Sequence, residues 1–418
     1  MNRFIYLGEC FLLGAILVIG ELLFLSLVRL YHGPFLWAVV MAQFIFLFVP
    51  SVRAQCARIF SHSIFWDFPF VVFLLLLAIF IFRNLFFLVD VDSHNVYLYA
   101  QKLWLDQGTS LWGNRGVNVA IFTPHFNAVP YALGISLFKT EVLFPQLIVV
   151  SWTVLVSILV FGYTSWRFNR WYGLAAVMMF LFNDHIFYSG TNNCVIINGA
   201  LIAFFFAAVY NFWQSRVQKD DFRFALALIF LFQVMANKYQ AAVAFFFLFV
   251  LGLLIQPSLG RQLRSLFSIR RYVWAMALSA GFVGLWYFKN FIVFGCPTFP
   301  VLAGKFNVLG WTVQRDFAFM QATGHPSPMT LLKYSSYLFV WPGVDSLKWF
   351  FLVLFFLPVI MFVFFLRRKE VSTAVFSEWL YWFNAAFFFT IGIILVTFAD
   401  PRAYRYSIAL TVFVFIFS

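Results

Sequence analysis

The dominant pattern along the chain is a series of long apolar runs separated by short polar segments. A helix needs roughly 20 apolar residues to cross the hydrocarbon core of a bilayer, and about a dozen runs approach that length. We predict membrane spans at about 9–30, 35–51, 69–89, 142–164, 171–188, 194–213, 222–236, 240–256, 273–293, 348–366, 376–397 and 405–418. The pattern indicates an all-α fold, a polytopic bundle of about 12 transmembrane helices.

Four of these runs need separate comment. The run that starts near Cys10 lacks a small-residue cleavage site and is long for a signal peptide, so we expect an uncleaved first helix. The polar stretch Asn237-Lys238-Tyr239-Gln240 interrupts two spans, which predicts a bend or a partly re-entrant segment. The last run, Tyr406 to Ser418, extends only about 20 Å as a helix. Either the chain is truncated there or its last helix does not cross fully.

Composition supports the membrane interpretation and excludes a soluble protein. The chain is 64% hydrophobic and only 10% charged, whereas soluble domains carry about 25% charged residues. The net charge of +13 comes from short arginine clusters between apolar runs, which is a membrane-topology pattern. We therefore expect no nucleic-acid partner. The four cysteines lack CxxC spacing, which argues against a zinc site or a disulfide framework.

The distribution of basic residues predicts the orientation. With the N-terminus in the cytoplasm, the short inner segments hold 15 basic residues and the longer outer loops hold nine, as the positive-inside rule requires. Two large loops, about 90–141 and 294–347, then face outward. No inner loop is large enough to bind a nucleotide, and the chain contains no GxxxxGK[ST] motif. We expect any chemistry on the outer face.

The first outer loop begins with two carboxylates, Asp90 and Asp92, at the membrane boundary. An amphipathic surface helix follows and ends at Gly108, which suits a helix C-terminus. Asp92 is either the N-cap of that helix or a general base that takes a proton from an acceptor hydroxyl. His94 and His125 lie in the same loop, so a divalent metal bound with one of the carboxylates stays an alternative, although the pattern predicts no definite cofactor.

The loop resembles the first periplasmic loop of the GT-C glycosyltransferases, which include protein O-mannosyltransferases and aminoarabinose transferases. Asp92-Ser93, Tyr97 and Gly108 stand where that family has Asp-Glu, Tyr and Gly. A second similarity follows the span at 273–293, where the family has Arg-Asn, then Gly-Asn-Pro-x-Tyr-Pro. The corresponding residues here are Lys289-Asn290, Gly295, Cys296, Pro297, Phe299 and Pro300. Arg405-Tyr406 resembles the Arg-Tyr of a late family helix.

The resemblance divides the chain into N-terminal membrane helices, 1–68, and a catalytic module, 69–418. It implies an inverting enzyme in the bacterial inner membrane that takes sugar from a polyprenyl-phosphate donor to a lipid, glycan or protein acceptor. Asp92, with Asp90 beside it, would be the catalytic base. The remaining site residues would bind substrate, with cations near the leaving phosphate; these residues are Tyr97, Lys238, Lys289, Asn290, Arg402, Arg405 and Tyr406.

Two charged residues inside apolar runs have explanations of their own. Lys238 is a functional candidate by its position, or it extends its ammonium group to the interface. Glu21 is central to the first span and should face protein or a partner.

Two other functions stay open. An O-antigen polymerase would rely on arginines such as Arg115 and Arg315 in the large outer loops. A transporter or flippase of lipid-linked sugar would typically show internal repeats, and none is evident.

Overall fold

The structure, a computed structural model, describes most of the chain up to residue 308. The described residues are 3–46, 48–50, 67–85, 98–111, 126–139, 143–181, 198–237, 259–298 and 303–308, together with Glu378, Tyr381 and Trp382. These ranges contain helices and no strand, which confirms the predicted all-α class.

Eleven α-helices and one short 3-10 helix, Phe126–Ala128, fall within the described residues. The α-helices are α1 (Arg3–Leu27), α2 (Gly33–Phe46), α3 (Phe68–Leu85), α4 (Tyr99–Gln107), α5 (Tyr131–Leu137), α6 (Leu143–Arg167), α7 (Arg170–Leu181), α8 (Asn198–Gln218), α9 (Asp221–Asn237), α10 (Leu259–Ser268) and α11 (Arg270–Phe294).

Four of these helices are long and apolar enough to cross a membrane: α1, α3, α6 and α11. Each coincides with a predicted span. The helices α2, α7 and α9 coincide with further predicted spans but are shorter than 18 residues, and α8 carries Asn, Gln and Arg side chains among its apolar ones. The spans predicted at 240–256, 348–366, 376–397 and 405–418 lie outside the described residues, apart from Glu378, Tyr381 and Trp382. The twelve-span arrangement therefore stays a prediction.

Aromatic packing holds the described helices in one hydrophobic core. Phe161 of α6 stacks on Phe73 of α3, with ring centroids 4.3 Å apart, and meets Phe4 of α1 edge to face at 5.5 Å. Other large apolar side chains point outward instead: Phe11 is 60% exposed and Phe82 is 70% exposed. Aromatic side chains that point outward from long apolar helices are typical of contact with lipid, because lipid packs around them without a matching partner.

The side-chain contacts define two ends of this bundle. At the first, here called the α4 end, Ser26 of α1 forms a hydrogen bond with Ser110, which follows α4 in the chain. The two hydroxyl oxygens are 2.7 Å apart. At the opposite end, here called the α10 end, Ser265 of α10 donates to the Asp221 carboxylate of α9 over 2.6 Å. Helices α1, α9 and α11 all run from the α10 end to the α4 end. The sequence predicts the α10 end to be cytoplasmic.

Candidate functional site

The structure describes two of the nine predicted site residues, Lys289 and Asn290, both near the end of α11. The other seven lie outside the described residues, and these are Asp90, Asp92, Tyr97, Lys238, Arg402, Arg405 and Tyr406. Whether Asp92, Lys238 and Arg405 converge on one cavity therefore stays a prediction. The site is built here from Lys289 outward.

Lys289 is a buried lysine in aromatic surroundings. Its side chain belongs to α11, and the residue is 1% exposed. The ammonium Nζ lies 3.9 Å from the ring centroid of Trp286 and 4.8 Å from that of Trp104 in α4. Both distances fall within the range of a cation–π interaction, which is strongest with tryptophan. A lysine so deeply buried is rare, and in a membrane segment it marks a functional site by default.

The short helix α4 supplies one wall of this site and is fixed in place by Tyr31. The Trp104 ring packs against Trp286, with centroids 5.7 Å apart, and against Tyr31 at 6.2 Å. The Tyr31 hydroxyl lies 2.8 Å from Gln101 Oε1, to which it donates, and 3.0 Å from the Val129 carbonyl oxygen. Burial raises the Tyr31 pKa well above its ordinary value, so the phenol keeps its proton and remains a donor.

Gly108 ends α4, as the sequence predicted. Its φ of 66° is left-handed, and its amide donates to the Leu105 carbonyl. The Gly108 carbonyl in turn accepts from the Tyr31 amide over 3.1 Å, and the His32 ring lies where a Cβ would stand. Ala100 and Trp104 of α4 are buried, and Leu103 is half-buried. The chain around Gly108 thus ties α4 to the α1–α2 connection.

The segment after Lys289 shows how the second motif is arranged. Gly295 ends α11 with a left-handed φ of 68°, and its amide donates to the Phe291 carbonyl over 2.8 Å. Cys296 follows and is fully buried, with its sulfur 3.7 Å from the Thr298 hydroxyl. The chain therefore turns sharply within a few residues of Lys289. Phe299 and Pro300 lie outside the described residues.

Sequence reasoning missed a row of buried polar side chains between α9 and α11. Gln233 donates to the Ser279 hydroxyl over 2.9 Å, and Asn237 donates to the Gln233 backbone carbonyl over 2.7 Å. All three residues are buried. The side-chain oxygens of Gln233 and Asn237 accept no hydrogen bond from the described part of the chain. Their spacing of four residues on an apolar helix, which puts both amides on one face, is the signal that could have identified them.

Two acidic residues of α1 have polar partners. Glu21 accepts from Gln43 of α2 over 2.7 Å, which confirms that Glu21 faces protein. Glu9 pairs with Arg223 of α9, with Nη1 2.8 Å from Oε1, and also accepts from Asn211 of α8 over 2.7 Å. The Glu9 network joins three helices near the α10 end.

No group of three His, Cys, Asp or Glu side chains that could hold a metal ion occurs within the described ranges. The predicted metal alternative involves His94 and His125 with Asp90 or Asp92. All four residues lie outside those ranges, so this alternative is untested.

Comparison of the chain with protein-family models, with curated proteins and with solved structures gave no match. The functional assignment therefore depends on the residues themselves.

Proposed function

We propose that the protein is a membrane glycosyltransferase that moves a sugar from a polyprenyl-phosphate donor to an acceptor on the outer face of the bacterial inner membrane. The observation that carries this proposal is the buried Lys289 ammonium group between Trp286 and Trp104. In the proposed topology of about twelve spans, with the N-terminus cytoplasmic, Lys289 lies towards the outer ends of the helices.

Lys289 fits the role of leaving-group cation. When a sugar leaves a polyprenyl phosphate, negative charge develops on the phosphate oxygen that was bonded to the anomeric carbon. A cation fixed in surroundings of low dielectric constant stabilises that charge far better than water does. The indole faces of Trp104 and Trp286 keep the ammonium group in position.

Asp92 is the proposed base, and α4 connects it to the lysine. Asp92 stands six residues before Leu98, the N-cap of α4. In the proposed step, the Asp92 carboxylate takes the proton of an acceptor hydroxyl, and that oxygen attacks the anomeric carbon. The bond from this carbon to the phosphate oxygen breaks, and polyprenyl phosphate leaves with the electron pair. Attack opposite the leaving group inverts the configuration.

The amide oxygens of Gln233 and Asn237 are candidates for recognising the sugar. Both are buried acceptors, and sugar hydroxyls are the donors that such acceptors need. Gln233 contacts Ser279, and Lys289 lies ten residues further along α11, roughly 15 Å by helical rise. Asn237 follows Gln233 by one turn of α9 and is therefore closer than Gln233 to the level of Lys289. A sugar and its phosphate could extend between Asn237 and Lys289.

The decisive experiment measures sugar transfer by the purified full chain in lipid nanodiscs, with a panel of polyprenyl-phosphate sugars. We expect transfer by the wild type, and a loss of at least about 100-fold in Asp92→Asn. Transfer that survives in Asp92→Asn and fails in Arg115→Ala and Arg315→Ala would favour an O-antigen polymerase. Flux of lipid-linked sugar across liposomes, with no transfer to any acceptor, would favour a flippase and refute the proposal.

A further inference from the structure

At the α10 end, one surface of the molecule combines exposed arginines with exposed aromatic rings. We call it the α10 surface, and it consists of Arg264 and Phe267 of α10 with Arg270, Arg271 and Trp274 of α11. All five side chains are exposed; Phe267 and Trp274 are 63% and 64% exposed. None of the three arginines forms an ion pair with a described carboxylate.

The helix that carries this surface is held in place from its other side. Leu266 of α10 is fully buried, and the helix packs on both α9 and α11. Ser265 donates to Asp221 over 2.6 Å. The Arg271 guanidinium lies 4.9 Å from the ring centroid of Tyr272. The arginines therefore project from a fixed element.

The position of these arginines is unfavourable for the helix itself. Arg270 and Arg271 are the first two residues of α11, and no side chain caps that end. The N-terminus of a helix carries partial positive charge, which disfavours cations there. An anion bound outside the helix would offset the unfavourable charge of two consecutive arginines at this position.

The phosphates of membrane headgroups are such anions, at the level where α11 begins. Helix α11 has 25 residues and extends about 38 Å, more than the roughly 30 Å of the hydrocarbon core. Its ends therefore reach the headgroup regions. Trp274 lies one turn inside the arginines, where tryptophan concentrates at membrane interfaces. Phe267 lies on the apolar side of α10, as in amphipathic helices that insert their rings at the acyl boundary.

We propose that the α10 surface is a binding site for the headgroups of anionic phospholipids. Arg264, Arg270 and Arg271 contact the phosphates, and Phe267 and Trp274 enter the adjoining acyl region. The planar guanidinium group matches the geometry of phosphate and can donate two hydrogen bonds to it. The site is independent of the proposed glycosyltransferase activity.

The test compares thermal unfolding of the purified full chain in detergent with added phosphatidylglycerol or phosphatidylcholine. We expect phosphatidylglycerol to raise the Tm of the wild type and phosphatidylcholine to leave it unchanged. The triple variant Arg264→Gln, Arg270→Gln and Arg271→Gln should lose most of the rise. The matched control, Lys102→Gln, Lys139→Gln and Lys305→Gln, removes three positive charges elsewhere and should keep it. Free glycerol phosphate should have no effect at the same concentration.

An equal rise with phosphatidylcholine, or an unchanged rise in the triple variant, would overturn the proposal. A second measurement tests the proposal if the triple variant fails to fold. High salt screens charges at the protein surface, so the rise that phosphatidylglycerol causes in the wild type should shrink between low and molar salt. A rise independent of salt would also overturn the proposal.

Discussion

At the residue scale, the strongest constraint is the energy of holding an ammonium group inside the protein. Lys289 is 1% exposed, with its Nζ against two indole rings. Methionine has a similar length and no charge, so Lys289→Met should fold and show an equal or higher Tm. We expect its turnover of lipid-linked donor to fall by about 100-fold to 1,000-fold, as when one charge-stabilising donor is removed.

Steady-state kinetics with the lipid-linked donor check this expectation. Lys289→Arg keeps the charge and should recover part of kcat. The matched control is Lys305→Met, because Lys305 is exposed and its replacement removes the same charge. Wild-type kcat and KM in Lys289→Met would show that the lysine has no part in the reaction.

The Glu9–Arg223 pair should instead control stability. Removing one partner leaves a buried charge unpaired, which costs about 3–5 kcal/mol. We therefore expect Arg223→Met to lower the free energy of unfolding by that amount, measured by SDS titration with tryptophan fluorescence. The double variant Glu9→Gln, Arg223→Met should recover much of the loss, because the two sites are coupled. The control Arg216→Met alters an exposed arginine and should change little; additive losses in the double variant would contradict the coupling.

At the element scale, α4 depends on its glycine. Gly108→Ala puts a β-carbon into a left-handed residue, which costs about 1–2 kcal/mol, and also displaces the His32 ring. We expect a lower Tm and faster hydrogen exchange in α4 than in the wild type. Gly281→Ala is the matched control, since an added Cβ there meets nothing within 4 Å and the residue is helical. Unchanged exchange in α4 would mean that Gly108 does not hold the helix.

The same helix shows which elements sequence can predict. The end of α4 at Gly108 was predictable because a left-handed helix end is a local property of one residue. The helices α1, α3, α6 and α11 were predictable because each coincides with a long apolar run, and such a run in lipid has to be helical.

Pairing between distant segments was not predictable in this way. Glu9 and Arg223 are 214 residues apart, and nothing in either local sequence identifies the other. The contact of Gln233 with Ser279 likewise depends on which face of α9 meets α11. Lys289 was predicted only through a motif resemblance, and its position between Trp104 and Trp286 emerges from the fold.

At the scale of the whole molecule, the fold separates two chemically different ends. Lys289 and the tryptophans around it lie towards the α4 end, whereas the basic α10 surface and the Glu9–Arg223 pair lie towards the α10 end. Arg264 precedes α11 and Lys305 follows it, so a crossing of the membrane by α11 puts these two residues on opposite sides.

The positive-inside distribution then assigns the sides. In a variant without native cysteines, we expect Lys305→Cys to react with a membrane-impermeant maleimide on intact cells. Arg264→Cys should react only after the membrane is permeabilised. Both positions are exposed, so neither should be protected by the protein itself, and labelling of both in permeabilised cells is the control. The reverse pattern would invert the topology and place Lys289 towards the cytoplasm, where the proposed outer-face transfer could not take place.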